Sequence, residues 1–405
     1  MTSSERWRAY GVCLLGWLFD FYDLVLFAYL ASSIGRDWGW GSSFNHNKAL
    51  LVGIALATSG AGGIVFGGLA DRYGRRAVMS WTILIYSLST GASALATGIV
   101  SLAVLRAVTG LGVGGEWATG HALMAEIFPK EKRGTAAALL QAGEPIGVAL
   151  AVVAGIWLAP KVGWRAVFLI SALPALLIVP IRRHLKESPM WLARGARREL
   201  FWAPYATLWR EHRGRALQGF VLGCSKLGTY WLAYVWLPEY FAELDVTGTA
   251  FSRFKFLLVA QGGQLVGMLV FGPLSDRVGR RPVFTLYSLT TAAGLACLSF
   301  FGPELLRRPD WFWPTIGAVG LGSGCTAGFG ALLAELFPTS IRNTAMGTVY
   351  NCARSFQFVT QLLMAWIADA AGVSSGMLLA AGLAVFTAAW VWTFPETRGI
   401  LLRQD

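Results

Sequence analysis

Along this chain, apolar residues come in long unbroken runs separated by short polar intervals. Twelve runs stand out, at roughly 10–34, 48–70, 77–99, 101–127, 134–158, 163–182, 215–240, 254–275, 282–302, 311–336, 343–370 and 374–394. Each approaches or exceeds the ~20 residues that carry an α-helix across a bilayer core. The strands of a membrane β-barrel would be shorter and would alternate in polarity, which these runs do not. Inside lipid every backbone N–H and C=O has to be paired within its own segment. The expected fold class is therefore all-α and integral to the membrane, with twelve transmembrane helices.

The polar intervals repeat. Gly67-Gly68-Leu69-Ala70-Asp71-Arg72-Tyr73-Gly74-Arg75-Arg76 returns 205 residues later as Gly272-Pro273-Leu274-Ser275-Asp276-Arg277-Val278-Gly279-Arg280-Arg281. Ala125-Glu126-Ile127-Phe128-Pro129 returns as Ala334-Glu335-Leu336-Phe337-Pro338 at an offset of 209, as do Arg133 and Arg342. Such repeats mark two similar halves, a build shared by alternating-access carriers. The expected organisation is a six-helix bundle over 1–182, a basic linker over 183–214 and a second six-helix bundle over 215–405. Arginines in the linker are interleaved with Trp191, Trp202 and Trp209, which suits a helix lying on an anionic inner leaflet. A regulatory or partner-binding role is the other reading of that stretch.

Composition agrees with membrane residence. The 405 residues are 55% hydrophobic and 14% charged, with a mean hydropathy of +0.54, against about 25% charged in soluble chains. The net charge of +12 invites a nucleic-acid partner, but the cations are placed by topology. With the N-terminus inside, 23 Lys and Arg fall in cytoplasmic segments and eight in outer loops. That bias puts both termini in the cytoplasm of a plasma (inner) membrane protein and makes lipid, not nucleic acid, the surrounding partner. The five cysteines lie inside apolar segments with no metal, redox or disulfide spacing.

A charge inside a membrane costs from about 3 to over ~10 kcal/mol, so each is a functional candidate. The first segment holds Asp20 and Asp23, three apart and so on one face. The fourth holds Arg106, Glu116 and His121; the fifth holds Glu144, the seventh Lys226 and the eleventh Arg354. Asp23 and Arg106 fall at similar depth and are expected to form an ion pair, either a proton-exchanging element or a permanent structural bridge. Glu116, Glu144, Lys226 and Arg354 fall near the midplane, where transporter substrates bind. The N-half acids are expected to handle a proton and the C-half cations an anion; the alternative is that they merely neutralise one another. Arg354 offers a planar fork for a carboxylate, Lys226 a point charge. Asn351, Tyr230, Gln357, Gln141 and Tyr234, with Gln261, Gln264 and Trp231, are candidates to complete the pocket. His121 is either a proton carrier or a hydrogen-bonded packing residue. Asp71 with Arg72, Asp276 with Arg277, Glu126 with Arg133 and Glu335 with Arg342 are expected gating pairs at the cytoplasmic helix ends. The glycine run at 110–115 resembles a dinucleotide fingerprint, but no strand precedes it and the nucleotide reading is rejected.

The doubled Gly-x-x-x-Asp-Arg-x-Gly-Arg-Arg loop, Arg106 with its glycine run, Glu187-Ser188-Pro189 and Pro395-Glu396-Thr397 together resemble the major facilitator superfamily. The resemblance spans essentially the whole chain. It implies two pseudo-symmetric six-helix bundles around a central cavity lined by helices 1, 4, 7 and 10, with 2, 5, 8 and 11 beside them. It also matches sugar-type symporters, which pair an acid of helix 1 with the arginine of helix 4. Asp20-Phe21-Tyr22-Asp23 is similar to the helix-1 Asp-x-x-Asp of organic-acid proton symporters, both the sialate/lactate and aromatic-acid types. Phe337-Pro338-Thr339-Ser340-Ile341-Arg342-Asn343-Thr344-Ala345 with Tyr350-Asn351 leans to the sialate/lactate type. Gly143-Glu144-Pro145-Ile146-Gly147 departs from the Gly-Pro motif of antiporters, which counts against drug efflux. The expected function is proton-driven symport of a small organic anion such as lactate or pyruvate, by a monomer with no cofactor or metal. A larger aromatic or sialic acid or a sugar is the alternative cargo. A sensor or membrane enzyme is the other class; the enzyme is disfavoured because no catalytic constellation is present, and the sensor because that reading calls for a large soluble domain or tail.

Overall fold

Twelve helical passes follow one another in the computed structural model, which describes residues 3–128, 133–177, 181, 185–187, 192, 202–244, 250–338 and 341–398. They are α1 Ser3–Asp37, α2 Phe44–Tyr73, α3 Arg75–Ala92, α4 Ile99–Gly114 resuming as Glu116–Ile127, α5 Arg133–Gln141 resuming as Gly143–Val152 and reaching Ala159–Val162, and α6 Trp164–Ile170. The second set is α7 Arg213–Glu243, α8 Ala250–Val278, α9 Arg280–Leu306, α10 Pro309–Ser323 resuming as Ala327–Leu336, α11 Arg342–Ala371 and α12 Val373–Trp390. Among the described residues nine spans are apolar and long enough to cross a bilayer on those grounds alone. The described part of α6 is short; α7 and α11 also fall outside the nine, and they carry Lys226 and Arg354.

The halves repeat each other in backbone as well as in sequence. Gly74 (φ 93°) and Gly279 (φ 119°) turn α2 into α3 and α8 into α9; Gly163 (φ 83°) and Gly372 (φ 80°) turn α5 into α6 and α11 into α12. Such φ values strain any residue with a Cβ, so glycine makes these turns short. A carboxylate then caps the helix that begins after the turn. Glu187 accepts from the main-chain N–H of Arg75 and Arg76 at 2.9 and 3.1 Å, and Glu396 from those of Arg280 and Arg281 at 2.8 and 3.1 Å. Each cap satisfies orphan donors and meets the positive end of a helix dipole. Burial would raise the Glu396 carboxyl, but four main-chain donors, from Arg280, Arg281, Arg398 and Thr397, hold it below the usual carboxylate range.

The most extensive contacts between the halves are those of α2 with α11 and of α5 with α8. Gly53, Gly60 and Gly63 of α2 lie against Phe358, Ser355 and Asn351 of α11, and the Ser355 hydroxyl donates to the Ala57 carbonyl at 2.7 Å. In lipid, helix association depends on such close backbone approach. The α4 glycine run has the same purpose: Gly110 and Gly114 seat α4 on the α2 backbone. Large apolar side chains such as Leu88, Val100, Leu176, Phe300 and Trp366 face outward, while ionisable side chains are buried within. Nearly half of the expected linker lies outside the described residues; its described helix, Ala203–Glu211, is fastened to α2 by the Tyr205 hydroxyl, which donates to the Ile64 carbonyl at 2.8 Å.

Candidate functional site

The ionisable residues of the membrane interior converge where the halves meet. Arg354 (α11) and Asp20 (α1) are both fully buried, with Nη2 and Oδ2 3.9 Å apart across the interface. The guanidinium lies 5.7 Å from the Trp17 ring, 5.4 Å from Phe21 and 5.2 Å from Tyr350. Among the described residues none of its three nitrogens closes a hydrogen bond, and neither oxygen of Asp20 does. Buried polar groups are nearly always satisfied, so this is a cluster that lacks a partner. The indole N–H groups of Trp17 and Trp231, the hydroxyls of Tyr230 and Tyr350, and both amide atoms of Gln261 are orphaned in the same way.

Glu144 is held from both halves. Gln141 of its own half donates to Oε2 at 2.6 Å, and Gln264 of α8 donates to Oε1 at 3.0 Å. The Trp117 indole donates to Gln141 at 3.3 Å and stacks on Tyr350 with centroids 3.9 Å apart and planes at 9°. A continuous path therefore runs from Glu144 through Gln141, Trp117 and Tyr350 to Arg354. Lys226, also buried, shares the field of Glu144 with Arg354 and closes no hydrogen bond or ion pair among the described residues. Tyr230 and Tyr234 stack at 4.7 Å on the same side of α7.

Several sequence expectations change here. Arg106 does not grip the Asp23 carboxylate: Nη1 donates to the Asp23 carbonyl at 3.1 Å and Nη2 to the Leu24 carbonyl at 2.9 Å. A carbonyl oxygen in a helix keeps a second lone pair, and the arginine fork spans two successive ones. The Asp23 carboxylate is fully buried, with no hydrogen bond among the described residues. Glu116 turns away from the C-half into the N-bundle, where it accepts from the Thr82 hydroxyl at 3.0 Å and abuts Gly16. Gln357 is spent on packing: it donates to the Ala353 carbonyl at 2.9 Å and accepts from Thr360 at 2.9 Å. Asn351 donates to the Gly347 carbonyl at 2.9 Å and presses on Gly63 of α2. Helical geometry places both within a turn of Arg354; both amides spend their N–H groups on main-chain carbonyls, and the Asn351 Oδ1 is left without a hydrogen bond among the described residues. His121 donates from Nδ1 to the Trp117 carbonyl (3.0 Å) and packs between Trp17, Trp117 and Gly330.

The expected gating pairs are also redistributed. Asp276 pairs with Arg280 at 2.6 Å; Arg277 is exposed. Arg280 also reaches Glu335 at 3.0 Å, and the Thr397 hydroxyl donates to Glu335 at 2.5 Å. The Gly279 turn explains the choice: it brings Arg280, the first residue of α9, back against the end of α8, where its guanidinium also donates to the Ser275 hydroxyl at 2.7 Å, while Arg277 on α8 is exposed. This network joins α8, α9, α10 and the segment after α12, all within one half. Arg342 donates from Nε to the Ala334 carbonyl at 2.9 Å, and exposed Arg72 lies 5.5 Å from the Tyr73 ring. The side chains of Asp71, Glu126 and Arg133 lie outside the described residues.

Two further links between the halves were not singled out in the sequence. Lys48 (α2), wholly buried, contacts Glu239 (α7) at 2.5 Å, donates to the Val235 carbonyl at 2.9 Å and lies 5.0 Å from the Trp236 ring. Asn45 donates to Asp369 of α11 at 2.6 Å. Both contacts lie on the face opposite Ser3 and Arg398. On the face of the termini, Arg133–Gln141 of α5 packs against Ala327–Leu336 of α10. The central cluster is thus enclosed from both sides. Lys48 gave one signal: a lysine at the start of an apolar run, facing a glutamate near the end of another.

The Major Facilitator Superfamily pattern matches residues 12–260 and 247–403. A protein of Cupriavidus pinatubonensis named "Probable 4-methylmuconolactone transporter" is 33% identical over 99% of this chain and 93% of its own length. The sialic acid transporter NanX of Escherichia coli is 28% identical over 90% of this chain and 88% of its own. Among solved structures, the proton:xylose symporter XylE bound to 6-bromo-6-deoxy-D-glucose superposes with a TM-score of 0.82 at 20% identity, over 99% of this chain and 98% of that one.

Proposed function

The chain belongs to the major facilitator superfamily of membrane transporters, and we propose that it is a proton-coupled symporter of a small organic acid. The observation that carries this reading is the enclosed set of orphaned donors around Arg354, opposite a carboxylate. A substrate carboxylate would take two nitrogens of the fork, a charge-assisted geometry that Lys226 could support as a second cation.

Asp20 gives the coupling. As a carboxylate, it competes with the substrate for Arg354; once protonated it releases the fork. Proton and anion thus favour one another's binding, and their joint passage moves no net charge. This reading moves the first proton site from Asp23 to Asp20, with Glu144, Asp23 and Glu116 as the remaining acids. The basic intervals support both termini in the cytoplasm, and one chain encloses a complete site, which supports a monomer.

Rings surround the fork on three sides, which supports a planar or ring-bearing acid over lactate or pyruvate. The relatives named for 4-methylmuconolactone and sialic acid fit that class. The test is uptake into liposomes holding the purified protein, driven by an inward proton gradient. The panel is 4-methylmuconolactone, sialic acid, benzoate, lactate and pyruvate. Saturable uptake that collapses with a protonophore is expected for a ring-bearing acid. Gradient-independent accumulation, or uptake of no acid, would overturn the proposal.

A further inference from the structure

A cavity of about 800 Å³ opens on the face opposite the termini, at the ends of α1, α5 and α7. Its walls include Tyr29, Ser32, Arg36, Phe44, Ile156 and Glu239. The volume lies within the range of pockets for small molecules. It is separate from the orphaned cluster around Arg354.

Glu239 in its wall is seated on Lys48, and the arrangement reads as an anion site already filled. The ammonium contacts the carboxylate at 2.5 Å, donates to the Val235 carbonyl and lies over the Trp236 ring. Lys48 is on α2; every one of these partners is on α7, in the other half. When the halves part on this face, Lys48 loses them together. A lysine stripped of its counter-ion in a low-dielectric wall leaves a large uncompensated charge and will recruit an anion. Arg36 at the rim adds attraction for anions. Tyr29 in the cavity wall neighbours Tyr234, which stacks on Tyr230 beside the central site.

We propose that this outer vestibule is a second carboxylate-binding site, where Lys48 loads the substrate in the outward-open state and Glu239 evicts it as the face closes. The proposal rests on the organic-acid reading above. The protein's own carboxylate stands in for the substrate's in the closed form. Eviction towards the tyrosine steps gives the substrate a direction that the latch alone would not.

The two members of the pair separate this from a simple latch. Breaking a latch from either side favours the outward-open state, so Lys48→Gln and Glu239→Gln would move the half-saturation for outer uptake the same way. A loading site makes them opposite. Lys48→Gln should raise it about tenfold, the loss of a charge-assisted contact, and Glu239→Gln should lower it with slower turnover. Lys48→Arg should restore most of the loss. Efflux from the inner side should keep its half-saturation in both variants. The measurement is zero-trans influx and efflux of 4-methylmuconolactone, or of whichever acid on the panel the wild type takes up, in oriented liposomes. Lys48→Gln/Glu239→Gln leaves no buried unpaired charge; it should fold and behave as Lys48→Gln does. Equal-sign shifts, or an unchanged outer half-saturation in folded Lys48→Gln, would overturn the vestibular site and leave the central one standing. Absence of saturable uptake by the wild type would instead overturn the organic-acid reading on which it rests.

Discussion

Rings surround Arg354 and, among the described residues, its guanidinium closes no hydrogen bond of good geometry; this decides its chemistry. Cation–π contacts stabilise the charge without occupying the N–H groups, leaving the fork free for a ligand. Arg106, whose fork is consumed by two carbonyls, is fixed in place. Arg354→Lys keeps the charge and loses the fork, so substrate affinity should fall about tenfold, and further in Arg354→Ala. Isothermal calorimetry in detergent checks both; unchanged affinity in either would exclude a carboxylate on Arg354. Asp20→Asn mimics the protonated acid. It should bind substrate and exchange it across the membrane at a rate insensitive to pH, yet not accumulate it. Accumulation at the wild-type level would move the proton site to another acid. Residue identity was legible here from the sequence, since each charge interrupts an apolar run. Its partner was not: Asp20, Asp23, Glu116 and Glu144 are equivalent until side-chain directions are known.

Elements are shaped by their ends. The α8–α9 turn combines a positive-φ glycine with a carboxylate cap, and adding a Cβ at Gly279 would both strain the backbone and press on Glu396 at 2.9 Å. Gly279→Ala should destabilise the protein by about 1–3 kcal/mol. Glu396→Gln weakens the cap and should cost about 0.3–1 kcal/mol at neutral pH. The sign with pH follows from the lowered carboxyl: its contribution is present above the unfolded carboxylate pKa and is lost as pH falls through the folded value. Wild type and Glu396→Gln should therefore converge in melting temperature in acid and diverge near neutrality. A constant difference would show that the charge is not what stabilises the turn. The repeated loops made these turns visible in the sequence. The choice of Arg280 over Arg277 as partner of Asp276 follows only from how the Gly279 turn folds the start of α9 back onto the end of α8.

At the scale of the molecule, the halves are joined at three depths by contacts of different strength. Lys48–Glu239 and Asn45–Asp369 close one face, Glu144–Gln264 the middle, and α5 against α10 the other. The middle link is the one exposed to the substrate's field. Glu144→Gln keeps the contact with Gln141, keeps that with Gln264 once the latter's amide turns to present its unpaired Oε1, and deletes one negative charge opposite Lys226 and Arg354. Anion affinity should rise severalfold at neutral pH, and its dependence on pH should flatten. Unchanged affinity and pH profile, read by calorimetry at three pH values, would make Glu144 a packing residue alone.

The sequence by itself determined the membrane setting, the number of passes, the two-fold repeat and the list of charged residues held inside. These follow from local rules: run length against bilayer thickness, and the rarity of a charge within an apolar run. Tertiary structure alone decided which charges face one another. Depth along a helix can be counted, but azimuth is set by packing. Glycines on α2 and α4 fix how those helices rotate, and that rotation sends Glu116 inward, Asn351 onto α2 and Arg354 into a cage of rings. The Lys48–Glu239 contact joins residues 191 positions apart from opposite halves. No periodicity connects them; only the closure of one bundle on the other does.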